Sequence, residues 1–460
     1  MAIQQIMLGV SPGGEKYWIV TDGSMDTSDN IFYTHMHVDS GGNVYTYGNV
    51  VDNNTNPQYY NHVCFHKYDK DGTNLFYKRY QHNTSEQTSQ GIGVLTNGQI
   101  LLACNNSNPN SGSTFLVSST NGAKQWEKQY GTSATANRKR PRALAVSSSN
   151  KILYVQDGPY TGNGDVYIWQ PNASGTMIDD WKLATTSAGG PSNWAADPRC
   201  AAFDSAGNFY IAGSRGGSGS YNRWGMLIKF DSNMALQWTK VIGQNGSYQI
   251  HTFDDIAIDS NDDIILSGST RPSSPTYGWV VKVNGSGTIQ WQKKLDHASG
   301  GGNNIELFAV DVDDNDDIYV GGSSDGWGKT PLWAKISSNG THQWTRYLRD
   351  TASNSQNHLR CLKVKDDNIY WGGQNYIGSS IYHGYVAKVP KDGSGTGSYG
   401  PNSVFAYQSW TTPWSSTSYG ENFLSWSVSS VTGYNLFTQN GMTTDSPNWS
   451  EQRVAKDFTA

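Results

Sequence analysis

The densest run of acidic residues in the chain lies at residues 311–317, which read DVDDNDD. Its first, third and fifth residues offer side-chain oxygens, as the start of a calcium loop does. However, Asp316 stands where such a loop needs glycine, and Gly322 stands where it needs glutamate. Because VDSGGN, FDSAGN and IDSNDD recur at related positions, we interpret the run as a turn between two strands rather than a calcium site.

A second candidate is the basic run Arg138-Lys139-Arg140-Pro141-Arg142, the strongest positive cluster in the sequence. Arginine and lysine grouped in a loop can bind an acidic glycan, a lipopolysaccharide phosphate or an acidic protein. A solvated loop without a ligand is the alternative. Aromatic and arginine side chains are over-represented in binding hot spots. The residues predicted to form interactions are therefore Trp410, Trp414, Trp426, Arg138, Lys139, Arg140 and Arg142.

Local catalytic and cofactor motifs are missing from the sequence. It contains no H-E-x-x-H zinc motif, no G-x-S-x-G elbow and no glycine loop for nucleotide phosphates. Its cysteines, at positions 64, 104, 200 and 361, form no C-x-x-C pair, so we expect buried reduced thiols rather than zinc ligands. The sequence predicts a non-enzymatic protein without catalytic residues, metal or cofactor, although distant residues could still assemble into a site.

Composition narrows the class of protein further. Charged residues make up 15% of the 460 residues and aromatic residues 12%, and the chain has 51 glycines. Few helix-forming residues and many aromatic residues argue against a helical or a disordered chain. A net charge of -5 gives no electrostatic case for nucleic acid as a partner. The start has no secretory signal, and no apolar run is long enough for a membrane span.

A repeated phrase organises the chain. It recurs seven times, for example as AGNFYIAGS, NDDIILSGS and NDDIYVGGS, and its polar start followed by β-forming residues predicts a hairpin. The first apolar residues of the copies run from Val44 to Ile369, so six intervals cover 369 − 44 = 325 residues, or about 54 each. That period lies near the length of a β-propeller blade.

A second phrase, such as LIKFDSNMALQW, follows each hairpin and predicts two more strands. Two hairpins per unit give four strands, which is the content of a propeller blade. The tryptophans that we expect to brace the blades are Trp18, Trp126, Trp181, Trp238, Trp291 and Trp344. The seventh unit lacks its tryptophan strand. Because SPGGEKYWIVTDG near the N-terminus resembles SSNGTHQWTRYLRD, we expect the N-terminal strand to complete the last blade.

The predicted fold is therefore all-β, a seven-bladed β-propeller of four-stranded blades whose ring is closed by the N-terminal strand. Residues 1–9 form an N-terminal arm, residues 10–400 the propeller, and residues 401–460 an aromatic, Ser/Thr-rich C-terminal extension for docking or assembly. The extension is too short to bury much surface alone, so it packs either on its own propeller or on a partner.

The repeats, especially YGWVVKVNGSGTIQWQKKLD and LFAVDVDDNDDIYVGGSSD, resemble the β-propeller repeat of large bacterial surface proteins and phage structural proteins. The opening MAIQQIMLG also resembles the starts of virion proteins from tailed bacteriophages. These resemblances imply a non-enzymatic tail, nozzle or fibre protein. It would be made in the host cytoplasm and located in the virion, would assemble with other virion proteins as a symmetric oligomer, and could attach to a host surface glycan.

Two other functions stay open at this point. Abundant Tyr, Trp, Ser and Asn side chains suit sugar recognition, which gives a carbohydrate-binding, lectin-like propeller as the alternative. The third possibility is a propeller hydrolase or lyase, whose polar residues would have to converge from several blades.

Overall fold

The computed structural model of the chain is all-β in the part it describes. Described are residues 3–10, 16–22, 30–52, 60–82, 87–107, 110–131, 140–157, 165–184, 194–217, 223–243, 249–271, 274–296, 303–325, 329–350, 357–376 and 382–399, and seven short strands between 405 and 452. No helix long and apolar enough to cross a membrane occurs among these residues.

The chain divides into two compact units. Unit 1 comprises residues 1–81, 295–415 and 444–460, and unit 2 comprises residues 82–294 and 416–443. The strands before residue 400 are β1 (Ile3–Val10), β2 (Lys16–Asp22), β3 (Asn30–Val38), β4 (Val44–Asp52), β5 (Tyr60–Tyr68), β6 (Asn74–His82), β7 (Gln87–Val94), β8 (Ile100–Ser107), β9 (Asn110–Val117), β10 (Lys124–Gly131), β11 (Arg140–Val146), β12 (Ile152–Asp157), β13 (Val166–Pro171), β14 (Met177–Ala184), β15 (Trp194–Phe203), β16 (Phe209–Gly217), β17 (Arg223–Phe230), β18 (Leu236–Gly243), β19 (Ile250–Ile258), β20 (Ile264–Arg271), β21 (Tyr277–Val283), β22 (Ile289–Leu295), β23 (Ile305–Val312), β24 (Ile318–Ser324), β25 (Thr330–Ile336), β26 (His342–Asp350), β27 (His358–Lys365), β28 (Asn368–Tyr376), β29 (Tyr382–Pro390) and β30 (Gly397–Tyr399).

Three four-stranded antiparallel sheets make up most of unit 1. Sheet 1 contains β3–β6, sheet 6 contains β23–β26, and sheet 7 contains β27–β29 followed by β2. The N-terminal strand β2 is thus the fourth strand of sheet 7, with Trp18 opposite Lys388. Two apolar clusters lie between the sheets: Ile19, Trp333 and Trp371 belong to one, and Trp18 and Val386 to the other.

Unit 2 contains four more groups of four antiparallel strands: sheet 2 (β7–β10), sheet 3 (β11–β14), sheet 4 (β15–β18) and sheet 5 (β19–β22). A single parallel bridge between Arg223 and Ile250 joins sheets 4 and 5. Four-stranded antiparallel sheets in series are what propeller blades consist of, so the all-β, propeller-like class predicted from the sequence is confirmed. The closed ring of seven blades stays a prediction.

Short strands follow residue 400: β31 (Phe405–Ser409), β32 (Trp414–Ser416), β33 (Gly420–Phe423), β34 (Ser427–Ser429), β35 (Asn435–Phe437), β36 (Met442–Asp445) and β37 (Glu451–Gln452). In unit 1, β31 pairs with β26 and β37 pairs with β1. In unit 2, β33, β34 and β35 pair with β18, β14 and β10. The C-terminal segment therefore adds a strand to the edges of sheets 4, 3 and 2 in turn, against the order in which the chain forms them.

Turns with one recurring hydrogen-bond pattern join the first two strands of several sheets. Asp313 Oδ1 accepts hydrogen bonds from the backbone N–H of Asn315 at 3.0 Å and of Asp317 at 3.1 Å, and Oδ2 accepts the Tyr319 hydroxyl at 3.1 Å. Asp204 is bonded in the same way to Asn208 and Tyr210. The acidic run is thus a turn, as the sequence predicted, because its aspartate binds the chain's own donors.

Tryptophans on the fourth strands contact the next sheet of the same unit. Trp18 donates its indole N–H to the carbonyl of Lys70 at 3.1 Å, and Trp126 donates to the carbonyl of Ala173 at 3.1 Å. Both acceptors lie in the turn between the third and fourth strands of that sheet. Trp344 lies beneath the corresponding turn at Gly393. Trp181 packs against the apolar cluster between sheets 3 and 4, Trp238 against that between sheets 4 and 5, and Trp291 is half-buried.

In the described residues, the first strand of every sheet is interrupted by a β-bulge at a corresponding place. Each bulge inserts one extra residue into its strand, and these residues are Thr34, Gln90, Arg142, Arg199, Asp254, Phe308 and Arg360. Bulges redirect side chains and occur next to active sites. We call these seven residues the bulge residues, and those of unit 2 frame the candidate site.

Glycine on the second strand makes room for the bulge. At Gly322, a Cβ atom would collide with the carbonyl oxygen of Glu306, and at Gly48 with that of Phe32. No side chain can move to relieve these collisions, because the obstacle is backbone. The same close approach recurs at Gly213, Gly268 and Gly373.

We predict that Gly322→Ala lowers the free energy of unfolding by about 1–3 kcal/mol, since the backbone of β23 must shift to accommodate the methyl group. Gly285→Ala is the matched control, because the nearest atoms to its Cβ would be 3.7 Å away, and it should change stability by less than about 0.5 kcal/mol. Urea unfolding of both variants measures the difference. Equal stabilities would contradict the role given to the glycine.

Candidate functional site at the first-strand bulges

The bulge residues differ chemically although the backbone around them repeats. Unit 2 has one amide, two guanidinium groups and one carboxylate at these places, and unit 1 has a hydroxyl, a phenyl ring and a guanidinium group. A position needed only for packing would repeat along with the backbone. The difference in side chains therefore marks the bulges as the place where chemistry specific to this chain is built.

In unit 2, three neighbouring sheets are linked by alternating carboxylates and guanidinium groups. Arg142 Nη2 lies 2.7 Å from Asp157 Oδ2 and 3.5 Å from Asp197 Oδ1. Arg199 Nη2 lies 3.2 Å from Asp197 Oδ2, and Arg199 Nη1 is in contact with Asp254 Oδ1. We call Asp157, Arg142, Asp197, Arg199 and Asp254 the charged chain. It joins the first strands β11, β15 and β19.

The negative and positive charges of the charged chain offset each other. Burial alone would lower the pKa of Arg199, but Asp254 and Asp197 outweigh it and raise the pKa above its ordinary value. Arg223 is a further cation, 3.6 Å from Asp197 Oδ2. The side chains of Asp197 and Arg199 are 24% and 32% exposed. The chain thus presents hydrogen-bond donors and acceptors on a partly open surface.

Asp197 and Asp254 form a carboxyl pair held by one guanidinium group. Asp254 Oδ2 also accepts the Thr252 hydroxyl at 3.3 Å. Within the part of the chain that is described, Asp197 Oδ1 is buried and takes part in no hydrogen bond. Because one guanidinium spans only a few ångströms, the two carboxyl groups are close neighbours. Paired carboxyl groups about 5–9.5 Å apart are the machinery of glycoside hydrolases.

In unit 1, the bulge residues lie beside neutral imidazoles. The guanidinium carbon of Arg360 lies 4.1 Å from the centroid of the Phe308 ring. The Thr34 hydroxyl is hydrogen-bonded to His35 Nδ1 at 2.8 Å, and burial lowers the pKa of His35 to about 4. His358 Nδ1 lies 3.1 Å from the Ser323 hydroxyl, and burial lowers its pKa to about 3, helped by Arg360. A guanidinium group over a phenyl ring and uncharged imidazoles suit binding more than acid catalysis.

Among the interaction residues predicted from sequence, Arg142 is placed most clearly. It is held by Asp157 and Asp197 and belongs to the charged chain, so it is neither a solvated loop residue nor an isolated cation. Arg140 and Trp414 lie in β11 and β32, but their side chains are outside the described set. Arg138, Lys139, Trp410 and Trp426 lie outside the described residues. Their role in binding stays a prediction.

Sequence reasoning missed Asp157, Asp197, Arg199 and Asp254, although a signal was present. In sheets 1–6 the bulge residue stands five residues before the first residue of the turn, as Arg199 does before Asp204 (204 − 199 = 5). Aligning the repeats on that turn would have placed these side chains at one structural position. The glycine four residues into the second strand, such as Gly213 after Phe209, marks the bulge from the other side.

Comparison with known proteins gives neither a family nor a curated relative, since no family model and no curated protein matches the chain. Solved structures similar to it include a polysaccharide lyase, with TM-score 0.45, 12% identity and coverage of 78% of this chain and 90% of that one. A GH43 β-1,3-galactosidase has TM-score 0.36 and 11% identity, with 78% and 91% covered. A Dyadobacter fermentans protein of unknown function has TM-score 0.44 and 9% identity, with 80% and 97% covered.

These similarities correct one expectation from the sequence. The chain was expected to be non-enzymatic, and that expectation is contradicted, because the similar structures named above include a polysaccharide lyase and a galactosidase. None of the three is described as a bacteriophage protein. At these identities and TM-scores, the comparisons assign neither activity to this chain, so its function has to be argued from its own residues.

Buried histidines predict that acid destabilises the fold. Burial lowers the pKa of His251 to about 4, from 6.5. Between pH 6.5 and 4 the unfolded chain therefore binds a proton that the folded chain does not, and stability present above pH 6.5 is lost as the pH falls. In this window the free energy of unfolding of His251→Gln should change with pH less steeply than that of the wild type, by up to about 1.4 kcal/mol per pH unit.

Urea unfolding of both proteins across this pH range measures the two slopes. His342→Gln, at a half-buried position of β26 where burial also lowers the histidine pKa, should reduce the slope in the same direction. Identical slopes for His251→Gln and the wild type would contradict the assignment.

Proposed function

We propose that the chain is a carbohydrate-cleaving enzyme of the hydrolase type, with the carboxyl pair Asp197 and Asp254 as its reacting groups. The observation that carries the proposal is the charged chain of unit 2, in which one guanidinium holds two carboxyl groups from adjacent first strands. Hydrolysis of a glycosidic bond needs two carboxyl groups, one to donate a proton to the leaving oxygen and one to activate water or attack the sugar.

The contacts of the two carboxyl groups distinguish their roles. Asp197 Oδ1 lies 3.5 Å from Arg142 Nη2 but takes part in no hydrogen bond among the described residues, so we propose that this oxygen, held only by the longer contact, exchanges a proton with the substrate. Asp254 is bonded through both oxygens, to Arg199 and to Thr252, so its orientation is fixed. Arg199 is a positioning residue, because it sets the relative orientation of the two carboxyl groups.

The equal numbers of positive and negative charges in the site favour an uncharged polysaccharide as the substrate. Three aspartates in the charged chain, at positions 157, 197 and 254, face three arginines at positions 142, 199 and 223. A site with no net charge attracts neither anions nor cations strongly. Its carboxylates and guanidinium groups can nevertheless hydrogen-bond to sugar hydroxyls.

We predict that wild-type protein releases reducing ends from at least one member of a panel of neutral polysaccharides, and that Asp254→Asn and Asp197→Asn lower the rate at least about 100-fold. Asp366, whose side chain is 71% exposed, lies in unit 1 in the turn between β27 and β28. Asp366→Asn is therefore the matched control and should keep the full rate.

Reducing-end assays and chromatography of the products provide the readout, and calorimetry provides binding. Binding without cleavage would support the carbohydrate-binding alternative and overturn the hydrolase. Unsaturated products absorbing in the ultraviolet would indicate a lyase instead. Virion location, assembly with virion proteins and attachment to a host glycan stay sequence-based predictions, and no comparison supports them.

A further inference from the structure

Uncharged polar side chains gather beside the charged chain, on sheet 2 of the same unit. Gln90 is the bulge residue of β7, and its side-chain N–H is donated to the Thr88 hydroxyl at 3.0 Å. Asn105, on β8, stands directly opposite Thr88, and the side chains of such a pair lie on the same face of a sheet. All three residues are half-buried. We call Thr88, Gln90 and Asn105 the amide cluster.

The amide cluster faces sheet 3. Asn105 also pairs with Gly112 on β9, so Gly112 belongs to the same face of sheet 2. A Cβ atom at Gly112 would lie 2.4 Å from Pro141 Cγ and 3.0 Å from Gln156 Nε2, which are atoms of sheet 3. Pro141 and Gln156 are each followed in sequence by a residue of the charged chain. The amide cluster therefore adjoins the charged chain.

The amide cluster offers both donors and acceptors of hydrogen bonds. Thr88 accepts from Gln90 and keeps its own hydroxyl proton to donate. Gln90 uses an N–H for that bond, so within the described part of the chain its carbonyl oxygen stays available as an acceptor. Asn105 Oδ1 is buried and takes part in no hydrogen bond among the described residues. An unbonded, buried amide oxygen is unfavourable, and a small rotation of this half-buried side chain would let a ligand hydroxyl donate to it.

We propose that Thr88, Gln90 and Asn105 form a subsite that binds one sugar unit of the substrate through its free hydroxyl groups. A sugar hydroxyl both donates and accepts hydrogen bonds, which matches the donors and acceptors of the amide cluster. The cluster has no charge, as suits an uncharged polysaccharide. This inference rests on the proposed function, because the sugar unit belongs to the polysaccharide whose cleavage is assigned to Asp197 and Asp254.

The position of the subsite makes binding depend on the length of the substrate. First strands β7, β11 and β15 are neighbours in that order, so the side chains of sheet 3 stand between the amide cluster and Asp197. A disaccharide held at the carboxyl pair ends short of the cluster, whereas a hexasaccharide reaches it. A site that bonds hydroxyl groups also rejects analogues that lack them, so methylated or acetylated sugar units bind more weakly.

The test is calorimetric titration of the full chain carrying Asp254→Asn, so that no probe is cleaved. The probes are hexasaccharides of glucan, galactan, xylan and mannan, and the disaccharide that corresponds to any hexasaccharide that binds. We expect Gln90→Ala/Asn105→Ala to raise the Kd of that hexasaccharide about 10-fold, since two or more hydrogen bonds are lost. The Kd of the disaccharide should not change.

Gln125→Ala is the matched control. Gln125 is exposed and lies in β10 at the other end of sheet 2, so its loss should leave every Kd unchanged. If the double variant does not fold, Gln90→Ala decides, with an expected rise of about 3-fold in Kd. A hexasaccharide Kd that the variants leave unchanged, or no binding by any hexasaccharide, overturns the inference.

The subsite and the hydrolase can fail separately. Wild-type cleavage that Asp254→Asn abolishes, together with a hexasaccharide Kd indifferent to changes in the amide cluster, refutes the subsite and leaves the hydrolase. Binding that depends on the amide cluster, in a wild type that cleaves none of the probes, refutes the hydrolase and leaves the subsite as a carbohydrate-binding site.

Discussion

A backbone carbonyl aimed at the neighbouring strand is the constraint on which the site depends. In five sheets the carbonyl before the bulge lies where a Cβ of the second strand would be, so that strand must carry glycine. The bulge in turn removes one residue from the regular alternation of the first strand. Side chains at these positions are thereby released from packing within the sheet, and the sequence can change there without loss of the fold.

Two sheets solve the same steric problem without glycine. Cys104 pairs opposite Ser89 in sheet 2, and Gln156 pairs opposite Pro141 in sheet 3. Gln156 accepts the indole N–H of Trp169 at 2.8 Å, and the buried Cys104 thiol, which forms no disulfide, accepts the side-chain N–H of Gln87 at 3.9 Å. Glycine is therefore the common solution and not an absolute one. Cys104 and Gln156 stand in the repeated phrase where AGNFYIAGS has Gly213.

Features that depend on a few neighbouring residues could be predicted from the sequence, and features that depend on contacts between distant strands could not. Strands and turns repeat because alternation, glycine and Asp–Asn turn chemistry act within a few residues, and β2 completing sheet 7 could be predicted from the resemblance of Trp18 to Trp344. The ion pair between Arg199 and Asp254 depends on register between two sheets, which alternation does not set. Asp22, Tyr33, His66 and Tyr68 form a buried hydrogen-bonded cluster in unit 1. They share no motif, so only the fold brings them together.

The place of β2 has a consequence for synthesis of the protein on the ribosome. Trp18 pairs with Lys388, so the two partners are separated by 388 − 18 = 370 residues. At a translation rate of about 5–20 residues per second, the N-terminal strand emerges roughly 20–70 s before the strand it pairs with. During that interval its apolar residues, Trp18, Ile19 and Val20, can pair with β1 in a hairpin, but the rest of sheet 7 has not yet been synthesised. A nascent chain of this kind is a natural client for ribosome-associated chaperones.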